Sequence, residues 1–177
     1  MKLNKIVAVL GLGAALACGS AMAATSGQGT VTFKGSIIDA PCSITPDTVD
    51  QTVNLGQVSS KSLLDGGTSS PHQFNIKLEG CDVSNLANKT VTTAFNGVAD
   101  GDNLKLQSGT ASGAAIVIED SVGKMVKIND AVGTSPEAIT DGTNTLHYSA
   151  YLKGNADKKA IKTGDFTSVA SFVLAYQ

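Results

Sequence analysis

Apolar and polar residues alternate with a period of two along most of this chain. Val31-Thr32-Phe33-Lys34 opens one such run; Gly35 interrupts it, and Ile37-Ile38 carries it on toward Pro41 and Cys42. Thr52–Val58 alternates again, and in His72–Glu79 the residues Phe74, Ile76 and Leu78 share one face while Asn75 and Lys77 take the other. Thr90–Phe95 is rich in β-branched residues and ends at Asn96-Gly97, a dipeptide that predicts a hairpin turn. Ala114–Ile118 is apolar throughout, as expected of a strand covered on both faces. Met125–Ile128, Leu146–Leu152 and Phe166–Tyr176 complete the series.

Turn chemistry separates these runs: Asp65-Gly66-Gly67, Asp100-Gly101, Ser121-Val122-Gly123, Asp141-Gly142 and Gly154-Asn155. The only helical signals are Ser59–Leu64 and a short turn near Pro136–Ile139, and no stretch holds a 3.6-residue period over three turns. Many short strands in a chain of this size predict an all-β sandwich. There is no internal repeat and no domain linker.

The first residues set the compartment. Lys2 and Lys5 precede an apolar run from Ile6 to Ala17, and Ala21-Met22-Ala23 places small residues at −3 and −1 of a cleavage point. These are the three parts of a secretory signal peptide, and the run is shorter than the roughly 20 residues that span a bilayer. Cys18 could instead be a lipid-attachment site. That processing favours leucine three positions upstream, where Ala15 stands, and the downstream cleavage site competes. Residues 1–23 are therefore read as a signal peptide, residues 24–34 as an N-terminal extension and residues 35–177 as the folded domain.

Processing leaves 154 residues with 11 lysines and 15 acidic residues, a formal charge of −4, and no arginine or tryptophan. A mildly acidic chain without a basic cluster argues against nucleic-acid binding. Cys42 and Cys81 remain, and an even pair in an exported chain reads as a disulfide. Closing that loop would stabilise the fold by about 4 kcal/mol in the chain-entropy model. Free thiols or metal ligation are the alternatives, but His72 and His147 stand at no zinc-ligand spacing from them. The histidines read as strand residues.

The two ends of the mature chain are unusual. Thr25, Gly27, Gly29, Val31 and Phe33 fall on one face of an extended segment; Gln28, Thr30, Thr32 and Lys34 fall on the other. One face could fill a groove while the other meets water, although a frayed terminus has the same composition. At the other end Ser168, Ala170, Phe172, Leu174 and Tyr176 alternate almost to the last residue, Gln177. That is either an ordinary final strand or an edge that invites pairing with another chain, and one strand can serve both purposes.

Residues 24–177 resemble the major pilins of chaperone–usher pili, the rod subunits of P and type 1 pili. The resemblance rests on Gly27–Gly35 leading through Asp39-Ala40-Pro41-Cys42, on Cys81 after an alternating strand, on Leu146-His147-Tyr148-Ser149-Ala150, and on the ending Phe172–Gln177. Gly164, fourteenth from the end, and the penultimate Tyr176 match the family's C-terminal signature. The resemblance implies an incomplete immunoglobulin-like β-sandwich lacking its last strand. Its function would be that of a structural subunit of a surface fimbria supporting adhesion. Thr25, Gly27, Gly29, Val31 and Phe33 would be donated to the next subunit. Gly164, Phe172, Leu174, Tyr176 and Gln177 would form the strand bound by a periplasmic chaperone. Other pilin subunits, that chaperone and an outer-membrane usher are the expected partners, with passage through the periplasm to the cell surface. Polar Thr25 and Ser26 stand where a bulky apolar anchor could sit.

Catalytic motifs are absent from the sequence. It has no G-x-S-x-G elbow, no H-E-x-x-H, no P-loop and no dinucleotide fingerprint, so no enzymatic activity and no cofactor are expected. Asp100-Gly101-Asp102-Asn103 has a calcium-like composition but fails the EF-hand spacing and reads as a turn. Asn88-Lys89-Thr90 matches a glycosylation sequon and is read as a chance match. A minor adaptor or lectin-like adhesive subunit is the rival reading. Two-domain adhesins are longer than this mature chain, and a tip subunit needs no donor strand.

Overall fold

The computed structural model describes residues 29–156 and 161–177. The proposed signal peptide and two of the expected donor residues, Thr25 and Gly27, lie outside them. The folded unit runs from Ile38 to Gln177.

Strands form where the period-two pattern is strongest. β1 (Ser43–Ile44) is followed by a one-turn helix α1 (Pro46–Val49) and a 3₁₀ segment (Ser60–Gly66). Then come β2 (His72–Cys81), β3 (Thr90–Gly97), β4 (Ala99–Asp100), β5 (Asn103–Lys105), β6 (Ser108–Gly109) and β7 (Ala114–Glu119). β8 (Met125–Val126), β9 (Glu137–Ala138), β10 (Gly142–Gly154), β11 (Phe166–Thr167) and β12 (Ala170–Tyr176) complete the chain. The larger sheet has the order β1-β2-β10-β7-β5-β4, with β8 also on β7; the second is β12-β3-β9, and β11 pairs with β6.

The inward residues of β2 and β10, Ile76, Leu78, Leu146 and Tyr148, are buried against Val91 and Phe95 of β3. Ala114–Ile118 of β7 is buried on both faces, as its unbroken apolar run predicts. Four rings tie the layers together: Phe95 meets Tyr148 edge-on at 5.4 Å, and Phe74 and Phe172 flank them. The Tyr148 hydroxyl shares a 2.7 Å hydrogen bond with Thr93 Oγ1, so both buried hydroxyls are satisfied. The Cys42–Cys81 disulfide, with Cα atoms 4.1 Å apart, joins the residue before β1 to the end of β2.

Several local expectations change. Asn96-Gly97 is not a turn: β3 runs through it, and the hairpin lies between β4 and β5 at Gly101, whose φ is 61°. Tertiary contacts override the dipeptide, because Gly97 pairs with Ala170 and is held by Asn129. The expected turn near Pro136–Ile139 contains β9, paired with Thr90 and Val91. The helical signal at Ser59–Leu64 becomes the 3₁₀ segment. Residues 29–39 and Thr52–Val58 alternate in sequence yet lie in no strand, since alternation makes a strand only where a ladder partner exists.

Side chains replace missing ladder partners along β2. The Lys77 N–H donates to Thr48 Oγ1, and Gln51 Nε2 donates to the Asn75 carbonyl. Asp120, 6% exposed, does similar work in the loops. Its Oδ1 accepts the Val122 and Lys124 N–H groups and its Oδ2 accepts that of Ser135. Burial pushes this carboxyl up, but the N–H groups of Ser135, Lys124 and Val122 outweigh burial and hold it below the ordinary aspartate value.

A folded value below the unfolded one makes this stabilisation complete above about pH 4, and it is lost as pH falls through the lowered value. Asp120→Asn keeps an acceptor but turns an amide toward the Ser135 N–H. Denaturant titrations across pH should find it less stable than wild type at pH 7 and with a shallower acid limb.

Candidate functional site

A groove of about 990 Å³ opens along the folded unit. Its floor is core: Ile76 of β2, Phe95 of β3, Leu104 of β5 and Ile116 and Ile118 of β7. One wall is the extended segment 49–58, which follows β1 and α1 and directs Leu55 fully inward and Val53 and Val58 partly inward. The other wall is residues 161–172, leading into β12.

β12 explains why the groove is open. It forms a full antiparallel ladder with β3, from Ala170–Gly97 to Tyr176–Val91, and stands at the end of its sheet, with no ladder partner on its other side among the described residues. Its inward residues Ala170, Phe172, Leu174 and Tyr176 are only half-buried, whereas Ile76 and Leu78 of β2, Val91, Thr93 and Phe95 of β3 and Leu146, Tyr148, Ala150 and Leu152 of β10 are buried. A strand with a core-facing apolar side and an unpaired backbone edge is a template for another strand.

The sequence-predicted residues separate as follows. Gly164 and Phe172 line the groove; Leu174 and Tyr176 share the inward face of Phe172 beyond it, and burial pushes the Tyr176 phenol up. Gln177 ends the ladder in a reciprocal pair with Thr90: its N–H donates to the Thr90 carbonyl, and its terminal oxygen accepts the Thr90 N–H at 3.0 Å. The alternation from Phe166 to Tyr176 is not one strand. It changes partner at Ser168–Val169, from β6 to β3. Gly29, Val31 and Phe33 lie in no strand, and Val31 and Phe33 are 77% and 90% exposed.

Gly164 has a packing reason of its own. A Cβ there would lie 1.9 Å from Thr110 Oγ1 and 2.9 Å from the Ala111 nitrogen, and its φ is 152°. The groove wall at 49–58 and residues 161–163 of the other wall were missed as site residues. The signal that could have found the first wall is Thr52–Val58, an alternating run with no neighbour in sequence to pair with. Among the described residues no group of three His, Cys, Asp or Glu side chains is arranged to hold a metal ion.

The family model described as fimbrial protein matches residues 31–177. The Fimbria A protein of Serratia marcescens is 52% identical over the whole of both chains, and the Major MR/P fimbria protein of Proteus mirabilis (strain HI4320) is 48% identical, again over the whole of both. Among solved structures, the P pilus rod subunit aligns with a TM-score of 0.69 and 36% identity, over 78% of this chain and all of that one. A chaperone–usher pilus solved to explain rod uncoiling aligns at 0.74 with 40% identity, over 85% and 96%.

The Gly164 geometry is testable without any partner. Gly164→Ala should destabilise the folded chain by roughly 1–3 kcal/mol through the close approach of Thr110 and Ala111, read from denaturant unfolding.

Proposed function

Because the chain belongs to the fimbrial protein family, and is a structural pilus subunit with an incomplete immunoglobulin-like fold, we propose that it polymerises head to tail by strand donation. The N-terminal extension of one copy lies along β12 of the next, pairs with its open edge and covers the groove. The observation that carries this reading is the single-sided pairing of β12 above half-buried Phe172 and Leu174.

The donor is residues 25–33. In extended form they reach about 27 Å at roughly 3.4 Å per residue, enough for most of a strand alongside β12. Val31 and Phe33 supply apolar side chains for the groove, and Gly29 passes where no side chain fits. The contact is heterologous, donor on one surface and acceptor on another, so it propagates as a filament instead of closing. The product lies at the cell surface, in the fimbria.

The same groove calls for protection before assembly, since an uncovered apolar cleft beside a free strand edge aggregates. A periplasmic chaperone lends a strand to β12 along Gly164–Gln177, and an outer-membrane usher receives the complex. No catalytic step and no cofactor belong to this role, and similarity to major pilins favours a rod subunit over a minor adaptor.

Deleting residues 24–31 from the mature chain should leave chaperone binding intact and abolish addition to a growing fibre; continued polymerisation would defeat the strand-donation reading. Tyr176→Ala is the cleaner test of the C-terminal strand, because position 164 is confounded by packing. Co-purification from periplasm should recover several-fold less chaperone complex with Tyr176→Ala than with wild type.

A further inference from the structure

The sheet that ends openly at β12 has a second edge, along β3. The even-numbered residues of β3 face β12, as the Thr90–Gln177 pair requires, so Val91, Thr93, Phe95 and Gly97 turn their backbone groups outward. An eight-residue strand exposed there would be as good a template as β12. Residues 128–139 lie along it.

Only two residues of this strap are regular strand: Glu137 and Ala138, opposite Val91 and Thr90. Elsewhere the strap meets individual backbone groups of β3. The Thr93 N–H donates to Thr134 Oγ1, and the Thr93 carbonyl accepts the Thr134 N–H. The Phe95 carbonyl accepts the Asn129 N–H at 2.8 Å. The Asn129 carboxamide then imitates a strand residue: the Gly97 N–H donates to its Oδ1, and its Nδ2 donates to the Gly97 carbonyl, both at 3.0 Å.

The strap occupies this edge without creating a new one. Asn129 is left-handed at φ 65° and Gly133 at φ 66°, so the segment cannot present a continuous row of outward N–H and C=O groups. It also lies very close. A Cβ on Gly133 would fall 2.3 Å from the Thr93 carbonyl oxygen, so only glycine permits the approach. Asp120 anchors the strap through the Ser135 N–H, and Asp130 caps its turn through the Val132 N–H.

We propose that residues 128–139 are an edge guard: Asn129, Gly133 and Thr134 close the β3 edge to strands of other copies and so confine strand addition to β12. The proposal rests on the strand-donation reading and adds what makes assembly single-sited. With both edges open, one subunit would accept two donors, and chains would branch or aggregate instead of forming one filament.

The test uses the full mature chain, residues 24–177, and a synthetic peptide of residues 24–36 in excess, with bound equivalents counted by native mass spectrometry. Wild type should take one peptide. Asn129→Ala/Thr134→Val should take a second or self-associate, and its Thr93 and Gly97 amides should exchange with deuterium roughly tenfold faster, the factor a lost hydrogen bond is worth. A merely weakened fold would lose the first peptide, not gain another. If the double variant does not fold, Thr134→Val is compared with Thr134→Ser, which keeps the hydroxyl. Extra uptake or faster Thr93 exchange in the valine variant alone supports the guard. Wild-type stoichiometry with wild-type exchange in the variants overturns it. If wild type binds no peptide, strand donation falls, and exchange together with self-association of the variants decides the guard alone.

Discussion

The structure depends on β12 being paired, among the described residues, on one side only. Its backbone forms a complete ladder with β3, while its opposite edge borders a groove whose floor is the hydrophobic core. Burial is thus graded across the second sheet: Val91, Thr93 and Phe95 are buried, whereas Phe172, Leu174 and Tyr176 are half-covered. On the strand-donation reading the missing coverage comes from a neighbouring copy, and that deficit is a driving force for assembly, because hydrophobic burial and strand hydrogen bonds are gained in the same contact.

An incomplete sandwich has to hold its shape while that deficit persists. Three features concentrate on the problem. The Cys42–Cys81 disulfide ties the start of β1 to the end of β2, on the chain that goes on to form the groove's first wall. The ring cluster of Phe74, Phe95, Tyr148 and Phe172, with the Thr93–Tyr148 hydrogen bond, joins the sheets beneath the groove. Polar side chains then close backbone groups that have no ladder partner: Thr48 and Gln51 on β2, Asn129 and Thr134 on β3. These small and medium polar residues are individually ordinary. Placed at edges, they fill backbone positions that the ladders leave open, whereas the outer edge of β12 has no such cover among the described residues.

Much of this was legible in the chain. Phe74, Ile76 and Leu78 face the core because a pleated strand alternates by geometry, and Ala114–Ile118 is covered on both sides because nothing in it tolerates water. The cysteine pair and the half-apolar final strand were equally plain. The errors share a cause. Asn96-Gly97 has hairpin chemistry, yet Gly97 is held between Ala170 and Asn129, both distant in sequence. Pro136–Ile139 reads as a turn, yet β3 recruits Glu137 and Ala138 as a strand. Thr52–Val58 reads as a strand, yet no neighbour pairs with it, and it becomes a groove wall. Turn and strand propensities are local energies of about 1 kcal/mol, and a ladder partner outweighs them.

The sequence by itself determined the all-β class, the inward face of each long strand, the disulfide and the alternating final strand, because each follows from side-chain period or local composition. Only the tertiary structure decided which strands lack neighbours. The openness of β12, the wall built from 49–58 and the strap along β3 are properties of pairings between residues dozens of positions apart. A period of two says that a strand has two faces; it carries no information about how many of its two edges are filled.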